Sequence, residues 1–280
     1  MKVVSIITNN PIFIELQQLS LKKYLCDVEY EYIVFNDGKY WPDSTNFFKP
    51  DENGRQAIEK KCIELNVKYF NISNDHHKNI NISSQRHSDS LRSLREYMMG
   101  NKDEYLILDG DMFLIDTPNI KKYKEKICAC VLQEGGNKKY IWPNYFYIDM
   151  NKSDVNFDDF NLHVDGADTG SASSKWLKNY DYVYPNCEEI RYSSNQYEND
   201  KFYFIKHLWS GSWNIEELPE NLKNKNSLIE FLKNDKRNKD GKYFAEIYDK
   251  CIFHYRASTW FNLNDEVLHK ENLCKLKELI

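Results

Sequence analysis

Two acidic side chains separated by one glycine, Asp109-Gly110-Asp111, are the residues of this chain best placed to do chemistry. Carboxylates are hard oxygen donors, and a pair of them suits Mg2+ or Mn2+, which also takes phosphate oxygens. On extended backbone, residues two apart point to the same side, so both carboxylates would face one ion. Gly110 leaves space for a close ligand approach. A solvated acidic turn would have the same composition, but the flanks argue against it. Tyr105-Leu106-Ile107-Leu108 runs into the motif and Met112-Phe113-Leu114-Ile115 runs out of it. An acidic tripeptide between two apolar runs is held at the rim of a core.

Three further segments carry groups that could act with this pair. Cys251-Ile252-Phe253 is a short apolar run that leads into His254-Tyr255-Arg256-Ala257-Ser258-Thr259-Trp260. His207, in Lys206-His207-Leu208-Trp209-Ser210-Gly211-Ser212-Trp213, has similar surroundings and competes with His254 as a metal ligand; His76 and His77 lie in a polar loop. Tyr140-Ile141-Trp142-Pro143-Asn144-Tyr145-Phe146 is an aromatic cluster, read as a turn. Asp165-Gly166-Ala167-Asp168-Thr169-Gly170 is a Gly-rich turn ahead of a short helix, and Asp168 could equally cap that helix.

The elements that must position these groups alternate. Val3–Ile7 predicts a buried strand, and Pro11 suits the first turn of a helix running to about Tyr24. Tyr32–Phe35 is a second strand, closed by the turn signal Asn36-Asp37-Gly38. Gln56–Leu65 predicts a helix and Val67–Ile72 a third strand. Ser84–Met99 is a helix with Leu91, Leu94 and Met98 at three- and four-residue spacing, stopped by Gly100. Tyr105–Leu108 is the fourth strand. Such alternation predicts an α/β fold with a mostly parallel sheet and helices on both faces. Ligands of such sheets bind beyond the C-terminal strand ends, where Asp37 and Asp109 both sit.

The second half is less regular. Ile127–Leu132, Tyr145–Ile148 and Phe202–Ile205 read as strands. Ser171–Leu177, Asn226–Lys236 and Asp265–Ile280 read as helices. With no repeat and no clear linker, one domain over 1–280 is expected, with a regular half of about 1–120 and a less regular half of about 121–280. The polar stretches Asn36–Arg55 and Ser73–Ser84 fit substrate-covering loops.

Composition narrows the function. Hydrophobic residues at 41 % and charged residues at 29 % exclude wholesale disorder. A net charge of −5 argues against nucleic acid as main ligand, since phosphate backbones call for a basic face. The 20 Tyr and 6 Trp suit carbohydrate, whose C–H faces pack on rings, although most aromatics simply fill core and surface. No apolar run has transmembrane length, and the N-terminal run is too short for a signal peptide. Seven scattered Cys with no C-x-x-C pair predict reduced thiols in the cytoplasm.

Four features in order resemble the GT-A glycosyltransferases over roughly the first 120 residues. These are the strand Val-Val-Ser-Ile-Ile-Thr, a second strand ending Asn-Asp-Gly, the helix before the fourth strand, and Leu-Ile-Leu-Asp-Gly-Asp-Met. The resemblance implies a nucleoside-diphosphate sugar as donor, a hydroxyl of a glycan or other molecule as acceptor, and Mn2+ or Mg2+ as cofactor. Thr8, Asn9 and Asp37 would contact base or ribose, although Asp37 could be a plain turn-former. Asp109 would lie near ribose or metal, and Asp111 would bind the metal. Arg86 would reach the donor sugar or diphosphate, with Asp89 one turn on; an ordinary surface pair of the two is the competing reading. Many GT-A enzymes add a C-terminal His as metal ligand, which places His254 there, with Arg256 and Ser258 on phosphate. Trp142, Asn144 and Tyr145 would contact the acceptor. Asp168 or Asp165 would be the catalytic base of an inverting reaction. A retaining enzyme would not use that base in the same role, and the stereochemistry stays open.

Two other classes compete. A D-x-D motif also opens the haloacid-dehalogenase phosphatases, but that family carries it near the chain start with Thr or Val two residues on. A nucleotidyltransferase would carry a Gly-rich phosphate loop after the first strand, and Thr8-Asn9-Asn10-Pro11 has none. A catalytically silent nucleotide or glycan binder would keep the same strand ends.

Overall fold

The computed structural model describes residues 1–38, 54–73, 83–162, 167–180, 184–193, 195–211, 214–256 and 266–280. The first half forms as its periodicity predicts. β1 (Lys2–Ile7) leads to α1 (Ile12–Tyr24), with Pro11 at the helix start, where its missing N–H costs no intrahelical bond. β2 (Glu31–Asn36), α2 (Gly54–Glu64), β3 (Lys68–Asn71), α3 (Ser83–Gly100) and β4 (Glu104–Leu108) follow. Beyond the acidic motif come β5 (Met112–Leu114), α4 (Ile120–Lys124), β6 (Cys128–Gly135) and β7 (Lys138–Asp149). The remainder comprises α5 (Ser173–Lys178), α6 (Cys187–Tyr192), β8 (Tyr197–Glu198), β9 (Phe202–Phe204), β10 (His207–Gly211), α7 (Glu220–Lys223), α8 (Asn226–Asn234), β11 (Tyr243–Tyr248), β12 (Ile252–His254) and α9 (Glu266–Leu279).

Eight strands make the main sheet in the order β3-β2-β1-β4-β7-β6-β9-β8. The β3/β2, β2/β1, β1/β4 and β6/β9 pairs are parallel; β4/β7, β7/β6 and β9/β8 are antiparallel. Both faces are covered, which is why β1, β2 and β4 are almost wholly apolar. Val3, Ile7, Tyr32, Val34, Leu106 and Leu108 face α1 and α2 through Phe13, Leu16, Leu21, Ile58 and Cys62. Val4, Ile6, Ile33, Phe35 and Ile107 face α3 through Leu91, Leu94 and Met98. Burial of each such side chain stabilises by about 1.5–3 kcal/mol, and the period of two delivers alternate residues to the two layers.

The sequence did not foretell a second sheet. Four strands in the order β10-β11-β12-β5 pair antiparallel throughout. Its decisive register sets Met112 opposite His254 and His254 opposite Glu246. The residues just after the acidic motif are thus stitched to a strand some 140 positions later.

The Tyr140–Phe146 segment is strand rather than turn, with one interruption. From Cys130↔Phe146 to Leu132↔Ile141, β6 advances two residues while β7 advances five. The surplus is extruded as a bulge holding Trp142, Pro143 and Asn144. Proline, with no N–H to give a ladder, suits that position.

All seven cysteines are free thiols. Among the described residues no helix is long and apolar enough to cross a membrane.

Candidate metal centre

The acidic motif forms a tight turn between β4 and β5, not extended backbone: Met112 N–H donates to Asp109 O at 3.1 Å. Convergence of the two carboxylates therefore comes from the turn and not from strand periodicity. The turn exists because Gly110 occupies its crest. A Cβ there would stand 2.9 Å from the Ile6 carbonyl oxygen and 3.3 Å from Ile7 Cδ1, so any larger residue would push on β1.

Each acidic group has its own supports. Asp109 Oδ2 accepts from Asn144 Nδ2 at 2.5 Å, and Oδ1 accepts from Gly110 N–H at 2.8 Å. Asp109 N–H donates to Asn144 O at 2.7 Å, extending the β4/β7 ladder by one rung. Asp111, only 5 % exposed, has its carbonyl bonded by Tyr255 N–H at 2.9 Å. Gln17 reaches in from α1: its Nε2 donates to Asp109 O at 2.6 Å and to Met112 O at 3.1 Å.

His254 completes the group. Its Nε2 lies 3.3 Å from Asp111 Oδ1, and donor atoms of Asp109, Asp111 and His254 all lie within 4.8 Å of one another. Two carboxylate oxygens and one imidazole nitrogen in that space are a donor set that Mn2+ accepts readily and Mg2+ tolerates. Burial, and then the Asp111 carboxylate, push the Asp109 carboxyl up. Burial disfavours the charged form of His254, yet Asp111 and Glu246 outweigh it and raise the imidazole to about 10.

Glu246 is the residue that sequence reasoning missed. Its Oε2 is 3.0 Å from His254 Nδ1 and accepts from Tyr248 Oη at 2.8 Å. Its Oε1 faces Arg256 Nη1 at 3.5 Å and His207 Nε2 at 3.9 Å. Burial opposes its charge, but the His254 hydrogen bond and the His254, His207 and Arg256 charges bring it down to about 2. A signal was there to find: a lone Glu among Tyr243-Phe244-Ala245-Glu246-Ile247-Tyr248 cannot be buried without a partner.

The other expected residues fall into separate places. His207 stays outside the metal group; it bonds Trp209 O at 3.1 Å, stacks on Tyr248 with ring centres 4.4 Å apart, and receives Arg191 Nε at 3.3 Å. Burial drives its pKa down to about 4. Arg256 has left-handed backbone, φ 64°, and its Nη1 donates to Phe244 O at 3.2 Å. Asp37, buried at the end of β2, accepts from Thr8 Oγ1 at 3.2 Å and from Ser90 Oγ at 2.8 Å. Since β1 lies between β2 and β4, the Thr8–Asp37 pair and the acidic turn open on one sheet edge. Asn9, at φ 55°, turns the chain there. Arg86 is half-buried on α3, and its neighbour His87 is near enough to oppose the upward shift of Asp109. Asp89 faces Arg92 at 3.5 Å.

On the acceptor side the bulge decides the outcome. Trp142 stacks on Tyr248 at 5.1 Å and meets the His254 ring edge-on at 5.5 Å, so it walls the metal group. Asn144 holds Asp109, as described. Tyr145 does not belong with them: past the bulge it points into the core beside Tyr123, 0 % exposed, with no surface to offer an acceptor. Asp168 is exposed and accepts Thr169 N–H at 2.8 Å. It does not cap α5, whose N-cap is Ala172. Its loop is seated on β7, since a Cβ on Gly170 (φ 97°) would meet Ile141 O and Pro143. Asp165, Ser258, His76 and His77 lie outside the described residues.

No family model and no curated protein sequence matches the chain. Among the solved structures it resembles are glycosyltransferases. They include the galactosyltransferase LgtC with donor and acceptor sugar analogs, at 13 % identity and a TM-score of 0.39, covering 66 % of this chain and 67 % of that one. An active-site mutant of LgtC gives 14 % and 0.40, covering 66 % of each chain. The bifunctional glycosyltransferase WbbM in its apo form gives 10 % and 0.29, covering 64 % of this chain and 32 % of that one.

Proposed function

We propose that the chain is a metal-dependent glycosyltransferase that moves a sugar from a nucleoside-diphosphate sugar to a hydroxyl of a glycan or other acceptor. The observation that carries this reading is the Asp109, Asp111 and His254 group, gathered within 4.8 Å at the C-terminal edge of parallel strands. Mn2+ or Mg2+ held there would supply positive charge against a diphosphate leaving group. The chain's own residues do the rest. Asn144 and the Gly110 N–H hold Asp109 in place, and Glu246 aims His254 Nε2 at Asp111.

The donor half, about 1–120, would take base and ribose along Thr8, Asn9 and Asp37, with Arg86 and Asp89 on the sugar side. From the acceptor half, about 121–280, Arg256 and Ser258 would meet the diphosphate. Trp142 offers an aromatic wall to an acceptor sugar. Asp168 is the base we assign to an inverting reaction, with Asp165, three positions earlier in sequence, as its competitor; both wait on the stereochemistry. Seven free thiols support a cytoplasmic home.

The test is incubation with a panel of nucleotide sugars and Mn2+. Release of nucleoside diphosphate from one donor, abolished by chelator, supports the transferase. Donor binding without release at any acceptor would support a silent nucleotide binder instead.

A further inference from the structure

Gln17 has no place in the reading above, yet its carboxamide is fully committed to the acidic turn. It is 0 % exposed on the inner face of α1. Nε2 donates to the carbonyls of Asp109, at 2.6 Å, and Met112, at 3.1 Å. Oε1 is 2.6 Å from Tyr32 Oη, which donates to it from β2. Carbonyl oxygens only accept, so the amide can face them one way round, and Tyr32 locks that choice from the other end. The two carbonyls belong to the first and last residues of the Asp109–Met112 turn. Met112 N–H already spans to Asp109 O, so Gln17 adds a second bond to that carbonyl and ties it to the Met112 carbonyl. Two further contacts complete the frame: Asn144 on the Asp109 carboxylate and Tyr255 N–H on the Asp111 carbonyl.

We propose that Gln17, fixed by Tyr32, is a positioning residue of the metal group, acting on the backbone of the acidic turn. It clamps the turn from beneath, so that the Asp109 and Asp111 carboxylates face the same ion on the other side. It touches neither carboxylate. Its effect on metal passes through the backbone of the turn, one step further out than a partner bonded to the ligand side chain itself, whose loss costs about ten- to a hundred-fold in affinity. This inference rests on the metal reading, and the experiment separates the two.

The experiment uses Gln17→Met, which keeps the volume and removes the donors, with Tyr32→Phe as the milder variant and Ile58→Ala as a core control away from the turn. Amide hydrogen exchange of the 109–112 segment is followed in metal-free protein, and Mn2+ affinity by calorimetry, both well below the melting temperature. Expected are faster exchange in that segment for Gln17→Met, a smaller rise for Tyr32→Phe, and Mn2+ affinity weaker by up to about ten-fold for the former. Ile58→Ala, though less stable, keeps wild-type exchange at the turn and wild-type Mn2+ affinity. Wild-type exchange in both Gln17→Met and Tyr32→Phe overturns the clamp, whatever the metal does. If Gln17→Met fails to fold, Tyr32→Phe decides by the same two readouts. If the wild type takes up no Mn2+, the metal reading fails and the positioning role falls with it.

Discussion

The imidazole of His254 is held between two carboxylates, and Glu246 is the one that sets its orientation. With Nδ1 3.0 Å from Glu246 Oε2, the ring has a single way to present Nε2 to Asp111 at 3.3 Å. A carboxylate on the far nitrogen of a ligating histidine fixes tautomer and ring angle together and makes the ligand more basic.

Replacing Glu246 by Gln should therefore weaken Mn2+ binding by about ten- to a hundred-fold, without touching the metal's own ligands. Calorimetric titration of both proteins measures it. Equal affinities would reduce Glu246 to a structural acid.

Asp111→Asn keeps the shape of the turn and removes a charge. Loss of several kcal/mol of charge stabilisation corresponds to donor turnover lower by about two to three orders of magnitude. Release of nucleoside diphosphate at saturating Mn2+ is the readout, with circular dichroism confirming the fold.

The metal-free protein should lose stability toward alkaline pH. The His254 pKa is raised from 6.5 to about 10, so its charged pairing contributes fully below pH 6.5 and is lost as pH rises through 10. His207, lowered to about 4, acts only on the acid side, costing stability as pH falls below 6.5. Denaturant melts from pH 6.5 to 10 should show the decline in the wild type and a flatter profile in His254→Gln.

Gly110→Ala should destabilise by about 1–3 kcal/mol, the usual cost of forcing a methyl into filled space. The obstacle is the Ile6 backbone oxygen at 2.9 Å, which cannot swing aside as a side chain could. Urea unfolding gives the number, and Mn2+ affinity should fall with it as β1 and the turn are forced apart.

Neighbours in sequence should separate in function. Trp142→Ala should raise the acceptor KM, whereas Tyr145→Phe should leave it unchanged, because only Trp142 has surface beside His254. A matched rise for both would return Tyr145 to the acceptor site.

These outcomes also mark what the sequence could disclose. β1, β2 and β4 were legible as short unbroken apolar runs and α3 by its 3.6 period, and Asp109 and Asp111 because acids stood out between apolar runs. The second sheet was not, since β5 and β12 are three residues each and pair across a long stretch of chain. Their pattern is too short to distinguish from any apolar run. Glu246 showed as an odd acid in an apolar strand, but the identity of its partner arrives only through the pairing of β11 with β12. Tyr145 was misassigned for a related reason: a bulge changes which face a residue takes, and nothing in Tyr140–Phe146 except Pro143 announces one.

The stitch between Met112 and His254 has a consequence for biogenesis. While the chain is being made, Asp109 and Asp111 emerge well before their third companion. Until β12 docks, the two acids share the turn without the His254 imidazole, and a cation that needs all three groups would have to wait until residue 254 has left the ribosome. A ribosome-bound fragment ending before Ile252 would carry both acids at the sheet edge, yet lack the third side chain of the group.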